Sequence, residues 1–256
     1  MQDSLAIASG LGVGLIVGIT GVGGGSLMTP LLLSVFRLNP AVAIGTDLWF
    51  AGLTKLSGSV AYARHGHVNW TITRRLLLGS LPASLATVAL MHLSGVTKGW
   101  AQALTLSLGI ALLLTAAVVA FKKSWQAVGL RLERWIPDAA RPALTVACGA
   151  LLGVLVSLSS IGAGAIGATL ILLLYPRMAA REIVGTDIAH AVPLTLVAGV
   201  GHASLGHVNW ALLAPLLIGS VPGIWLGAQL TRRLPESVVR TLLCASLITA
   251  GWKVIG

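Results

Sequence analysis

The sequence predicts an all-α, polytopic membrane protein made of two homologous repeats in inverted orientation, each a glycine-broken helical hairpin followed by three transmembrane helices. Three observations predict it. Of the 256 residues, 56% are hydrophobic and only 9% are charged, with a mean hydropathy of +0.92; a soluble domain carries roughly a quarter charged residues. Motifs in the first half recur in the second at an offset of 140 residues. Threaded in this way, the chain places nearly all of its Lys and Arg on one side of the membrane.

This composition excludes a soluble one- or two-domain enzyme. The net charge of +10 does not mark a nucleic-acid binder, because the basic residues sit in short runs between long apolar stretches, as in cytoplasmic loops. Cys148 and Cys244 lie far apart inside apolar stretches and read as small packing residues rather than a disulfide or metal pair. The N-terminus lacks the basic region and small-residue cleavage site of a signal peptide, so the chain from about residue 5 is expected to be mature protein.

A span needs about 20 apolar residues. The first unit (1–121) reads as a hairpin at 4–36, broken at Gly21 to Ser26, then spans near 44–63, 74–94 and 99–121. A basic cytoplasmic linker, 122–141, follows. The second unit (142–256) reads as a hairpin at 143–175 and spans near 184–204, 213–231 and 237–255. The duplication is explicit in the residues. Gly45-Thr46-Asp47 recurs as Gly185-Thr186-Asp187, and Gly66-His67-Val68-Asn69-Trp70 as Gly206-His207-Val208-Asn209-Trp210. Gly79-Ser80-Leu81-Pro82 returns as Gly219-Ser220-Val221-Pro222, and 17 of the 39 positions from Ile44 to Pro82 match.

Orientation follows from counting charge. If each hairpin enters and leaves on one side, 13 Lys and Arg collect inside, from Arg64 through the linker to Arg240. Only Arg37, Lys98 and Lys253 stay outside, with Lys55 in the membrane. Parallel repeats with a single crossing per hairpin leave the two sides nearly even. The positive-inside rule therefore favours inverted repeats with both termini outside. Inverted units around broken helices are the architecture of secondary transporters, whose sites lie near the midplane.

Candidate site residues follow from that architecture. Gly23, Gly24 and Gly25 let the backbone leave helical geometry so that amides point at an anion, and Ser26 and Thr29 open the next helical piece with its positive dipole end. Ser159, Ser160, Gly162 and Gly164 are the counterparts in the second half, beside Ser157. The competing reading of such glycines is close helix packing, which is the better account of Gly219, Gly223 and Gly227. Lys55 is the only Lys or Arg well inside a span and is expected to face a cavity or partner, because an unpaired charge there costs on the order of 2.5–3.5 kcal/mol. It is either the counter-charge for an anion or the partner of Asp47, eight residues earlier. Asp47 and Asp187, each after Thr46 or Thr186, read either as helix-start caps or as a symmetric pair of coupling sites. His190, three residues beyond Asp187, could relay a proton with it or be a hydrogen-bonded structural histidine. His67 and His207 read as turn residues. No metal ligand set, no cofactor motif and no paired nucleophile and base is present in the sequence, so neither a catalytic residue nor a cofactor is expected.

Gly18 to Ser26 running into Leu27-Met-Thr-Pro-Leu-Leu-Leu33, the Ala43-Ile-Gly-Thr-Asp-Leu48 segment and the repeated Gly-His-Val-Asn-Trp turn resemble the sulfite exporter TauE/SafE family, also known as the toluene-sulfonate uptake permeases. The resemblance covers essentially the whole chain. It implies an inner-membrane permease for small sulfur-containing anions such as sulfite or sulfonates. Gly162-Ala163-Gly164-Ala165 departs from the fuller glycine run of the first half, so the two hairpins are expected to contribute unequally. A secondary carrier of such anions is the leading expectation; a passive anion channel of the same fold and a permease for a non-sulfur organic acid are the alternatives. The expected partners are the anion and the bilayer, with no nucleic acid. Proton or ion coupling and homo-oligomerisation are left open.

Overall fold

A computed structural model describes residues 2–20, 25–94, 98–230, 241, 244–245, 247–248 and 251–252. The described residues are all-helical, without strands. The first hairpin is α1 (Gln2–Thr20) and α2 (Gly25–Ser34), followed by α3 (Pro40–Arg64), α4 (Trp70–Leu93) and α5 (Lys98–Ala120). The linker contains a short helix, α6 (Lys122–Leu132). The second hairpin is α7 (Arg141–Ser159) and α8 (Ala165–Leu174), followed by α9 (Ala180–Ser204) and α10 (Trp210–Leu230). Most of the expected span at 237–255, with Arg232, Arg233, Arg240 and Lys253, lies outside the described residues.

Local chemistry fixes the boundaries. Asn69 caps α4 by accepting from the Ile72 amide at 3.2 Å, and Asn209 caps α10 from Leu212 at 3.0 Å; Asn39 does the same for α3 through Val42. A side-chain acceptor at this position satisfies one of the four free amides of a helix start. Gly66 and Gly206, at φ 69° and 74°, turn the chain back before each Asn cap.

Helices pair through their glycines, and the pairing repeats across the two halves. A Cβ at Gly79 would lie 1.9 Å from the Val146 carbonyl oxygen, and one at Gly219 would lie 2.0 Å from that of Ile7. From the other side, Gly10 and Gly14 of α1 meet Leu216 and Ser220 of α10, while Gly149 and Gly153 of α7 meet Leu76 and Ser80 of α4. Residue numbers rise together in both pairs, so α1 runs parallel to α10 and α4 parallel to α7. Small residues allow this close approach where lipid offers no hydrophobic drive for helix association.

Between the two pairs lie α3 and α9, and they are antiparallel. Gly45 meets His202 and the His207 carbonyl, Gly52 meets Leu196, and Trp49 meets Gly199. The ends are latched reciprocally: the Asn209 amide donates to Thr46 Oγ1 at 2.9 Å and the Asn69 amide to Thr186 Oγ1 at 3.0 Å.

This packing gives the protein two chemically different ends. One gathers the 65–69 turn, the linker and the α8–α9 connection: Asn69 reaches Glu182, and Glu133 of the linker holds Arg141 and Arg177. Arg64, Arg74, Arg75, Arg131, Arg134, Arg141, Arg177 and Arg181 all belong to it. The other end brings Asn39 and Pro40 together with Met91, Trp100 and His207 around an apolar pocket of about 190 Å³, and of the basic residues only Arg37 and Lys98 belong to it among those described. Leu78, Leu85, Leu93, Leu106, Ile110, Ile218, Val221 and Trp225 are exposed along the flanks, an apolar surface suited to lipid.

The glycine contacts yield a direct check. Gly79→Ala should destabilise the purified protein by about 1–3 kcal/mol, the usual cost of overpacking a tight contact, and lower its melting temperature. Gly12→Ala, where a Cβ meets nothing within 4 Å, should leave the melting temperature unchanged.

Candidate functional site

The break between α7 and α8 is built by backbone conformations closed to most residues. Ser160 ends α7 at φ 58°, and Gly162 and Gly164 follow at φ 130° and 145°. Ser159 closes the break locally, its hydroxyl donating to the Leu155 carbonyl at 2.6 Å and accepting from the Ile161 amide at 3.2 Å. It therefore points into its own loop. Ser160 is buried, and its hydroxyl faces the Asp47 carboxylate without a hydrogen bond of normal geometry.

Into this break reaches Lys55. Its ammonium donates to the Ala163 carbonyl oxygen and lies within electrostatic reach of both Asp47 and Asp187. Neither acid forms an ion pair with it, which fits the eight-residue spacing of Asp47 and Lys55 along one helix. Lys55 is partly exposed, whereas Asp47 and Asp187 are buried. The carboxylates are partnered differently despite their equivalent sequence positions. Asp47 Oδ2 accepts a hydrogen bond from Thr29 Oγ1 of the first hairpin. Asp187 instead faces the Gly164 amide and fills the space beside Gly167, where a Cβ would lie 2.1 Å from Oδ1.

The helix-start reading of the two acids is corrected here. Because α3 begins at Pro40 and α9 at Ala180, both acids lie about two turns inside their helices, where the backbone amides already have partners. Thr46 and Thr186 likewise cap no helix; they receive the Asn209 and Asn69 amides across the α3–α9 interface.

His190 does not couple to Asp187. Its Nε2 pairs with Ser80 Oγ at 2.9 Å in a buried contact between α9 and α4, and its Nδ1 has no partner among the described residues. Ser157 bonds Ser84 across the α4–α7 contact and belongs to packing. His202 Nε2 donates to the Ser157 carbonyl at 2.8 Å, and its ring packs against His207 at 5.5 Å. His207, in the α9–α10 turn, has its pKa pushed down by burial and so is neutral near neutral pH.

Of the expected site residues, the structure brings together Thr29, Asp47, Lys55, Ser160, Gly164 and Asp187, where the two hairpins meet α3 and α9. His190 lies on the α9–α4 side of that cluster. Gly25 and Ser26 open α2, and Gly23 and Gly24 lie outside the described residues. Sequence reasoning missed Ser80 and Gly167. Neither carried a signal of its own: a serine in a Gly-Ser-Leu-Pro packing motif and one more glycine in an apolar helix announce no partner.

Ten helices among the described residues, four of them (α4, Gly99–Ala120 of α5, α7 and α9) long and apolar enough to cross a bilayer, with lipid-compatible flanks and a charged cluster at the centre, define a multi-pass membrane protein. The family model for the sulfite exporter TauE/SafE matches residues 6–254. A probable membrane transporter protein of Bacillus subtilis, YjnA, is 36% identical over 97% of this chain and 98% of its own length. A second from B. subtilis, YunE, is 26% identical over 100% and 98%, and one from Xylella fastidiosa is 29% identical over 91% and 86%. No solved structure matches the chain. The protein belongs to the sulfite exporter TauE/SafE family and is a membrane transporter, not an enzyme.

The site geometry predicts that Thr29→Val, which strips Asp47 of its donor, costs about 1–3 kcal/mol of stability, the usual penalty for an orphaned buried polar group. A drop in melting temperature with the helical circular dichroism of the folded state retained is the expected readout.

Proposed function

We propose that the protein is a secondary transporter that carries small sulfur-containing anions, sulfite or organosulfonates, through a midplane site where the two broken hairpins meet. The observation that carries the proposal is Lys55. It is the only Lys or Arg in the central turns of a membrane-length helix among the described residues, and it is committed to a main-chain carbonyl rather than to a carboxylate. A cation held this way can exchange the neutral Ala163 oxygen for an anionic one. The anion gains a charge-assisted hydrogen bond in a low-dielectric setting, where such a bond is strongest. Ser160, with its buried unpartnered hydroxyl, and the backbone of Gly162 and Gly164 complete the cradle. On the first-half side, Gly23 to Ser26 and Thr29 contribute. Asp47 and Asp187 supply the sites for proton or cation coupling in this reading, and His190 and Thr186 with Thr46 hold the surrounding helices in register.

The architecture proposed with it is two inverted repeats, 1–121 and 142–256, joined by the linker 122–141. Support comes from the antiparallel course of α3 and α9, which occupy equivalent sequence positions. A two-fold relating antiparallel membrane helices lies in the membrane plane, and the reciprocal Thr46–Asn209 and Thr186–Asn69 latches obey the same operation. The concentration of arginines at the linker end supports placing that end in the cytoplasm, with the protein in an inner membrane. Rocking of one repeat against the other would expose the site alternately to the two sides. The family's name, sulfite exporter, favours sulfur anions over other organic acids.

The test is ligand-induced thermal stabilisation in detergent. Sulfite or methanesulfonate at a hundredfold excess over its dissociation constant should stabilise the protein by about 2.7 kcal/mol. Lys55→Met, folded by its own melting curve, should bind at least tenfold more weakly. Unchanged affinity in that variant would remove Lys55 from the site, and stabilisation by a carboxylate such as acetate but by neither sulfur anion would replace the substrate class.

A further inference from the structure

The linker end carries a second feature that the transport site does not use. An open cleft of about 580 Å³ lies between the linker and the ends of α7 and α8, lined by Glu133, Arg134, Trp135, Asp138, Arg141 and Arg177 among others. We propose that this cleft binds the headgroup of an anionic glycerophospholipid.

Charge is the first argument. Two arginines converge here on two carboxylates, and a third, Arg134, lines the same cleft. Glu133 takes Arg141 Nη2 at 3.4 Å and Arg177 Nε at 3.0 Å, and Asp138 takes Arg141 at 3.3 Å. A guanidinium has five N–H donors, so these contacts leave many unused. Arg141 Nε is buried without a partner, Arg177 is 81% exposed beyond its one bond, and Arg134 is exposed and makes no ion pair among the described residues. The two acids fix the arginines in place but leave the cleft cationic, with forked donors that match a phosphodiester better than a point charge does.

Position and apolar surface are the second argument, and they choose a lipid over a dissolved anion. The cleft sits where α7 begins and the chain leaves α8, the level at which membrane helices meet headgroups. Trp135, on its wall, is 84% exposed, and Leu130, Leu132 and Phe121 are exposed along the same linker. Large apolar side chains turned outward beside arginines have no counterpart in a site for a free ion; they suit the glycerol and upper acyl region of a lipid. The linker helix is also firmly seated. Gly129 packs on the main chain of Leu172 and Leu173 of α8, and the Trp125 indole donates to the Val118 carbonyl of α5 at 3.1 Å. A lipid held here would clamp the linker to the second hairpin.

Native mass spectrometry of the purified full-length protein with matched-chain phosphatidylglycerol and phosphatidylcholine tests this. Phosphatidylglycerol should be retained at least fivefold better, and excess inorganic phosphate should not displace it. Arg134→Gln combined with Arg177→Gln should abolish the preference, as should Trp135→Ala in part. Arg74→Gln, which removes one arginine charge from an exposed position at the same end outside the cleft, should leave it intact. Equal retention of the two lipids, loss of the preference in Arg74→Gln, or a preference that survives the double substitution would overturn the proposal. Displacement by phosphate would instead mark a soluble-anion site. None of these readings depends on the identity of the transported substrate.

Discussion

Irregular backbone inside a bilayer must find its partners within the protein, because hydrocarbon supplies none. That constraint shapes the centre of this molecule. The chain leaves helical geometry at residues 160–164, and several of the polar groups there are answered from within. Ser159 closes the loop on itself, Lys55 takes the Ala163 carbonyl, and the Gly164 amide faces Asp187. The break is thus held in part by Lys55, the side chain that an anion would engage in the proposed reading, which ties the stability of the fold to the chemistry of the proposed site.

The antiparallel α3–α9 pair is what makes this possible. Its glycines let each helix pack on the turn that follows the other, Gly45 against the His207 carbonyl and Gly185 against that of His67, and Asp47 and Lys55 from one and Asp187 from the other come within electrostatic reach. The flanking α1–α10 and α4–α7 pairs, closed by equivalent glycines, carry the hairpins to the same level. Equivalent sequence positions nevertheless end in different chemistry. Asp47 takes a hydroxyl donor from Thr29, Asp187 has a glycine-lined slot, and Lys55 is matched at the equivalent position by Thr195. In the proposed reading, this divergence leaves the site one Lys or Arg side chain among the described residues rather than two.

The sequence made the helical elements and the duplication plain because hydropathy and literal repetition need no tertiary knowledge. Helix starts were less legible: α3 and α9 begin at Pro40 and Ala180, about two turns ahead of the Gly-Thr-Asp motifs that look like caps, which moved both acids from a structural to a central position. The short spacing of Asp187 and His190 allowed either a couple or a hydrogen-bonded structural histidine, and the partner proves to be Ser80, supplied by helix α4 from 110 residues away. Contacts across such distances leave no periodic trace. The linker showed its charge but not its helix, since α6 is short, polar on one side and stabilised by packing on α8 rather than by a span.

The most direct measurement is an experimental structure of the protein with methanesulfonate bound. The account predicts the sulfonate near the bilayer midplane between the two breaks, one oxygen within hydrogen-bond distance of Lys55 Nζ and the Ala163 carbonyl released. Sulfonate bound elsewhere, with Lys55 still on Ala163, would contradict it.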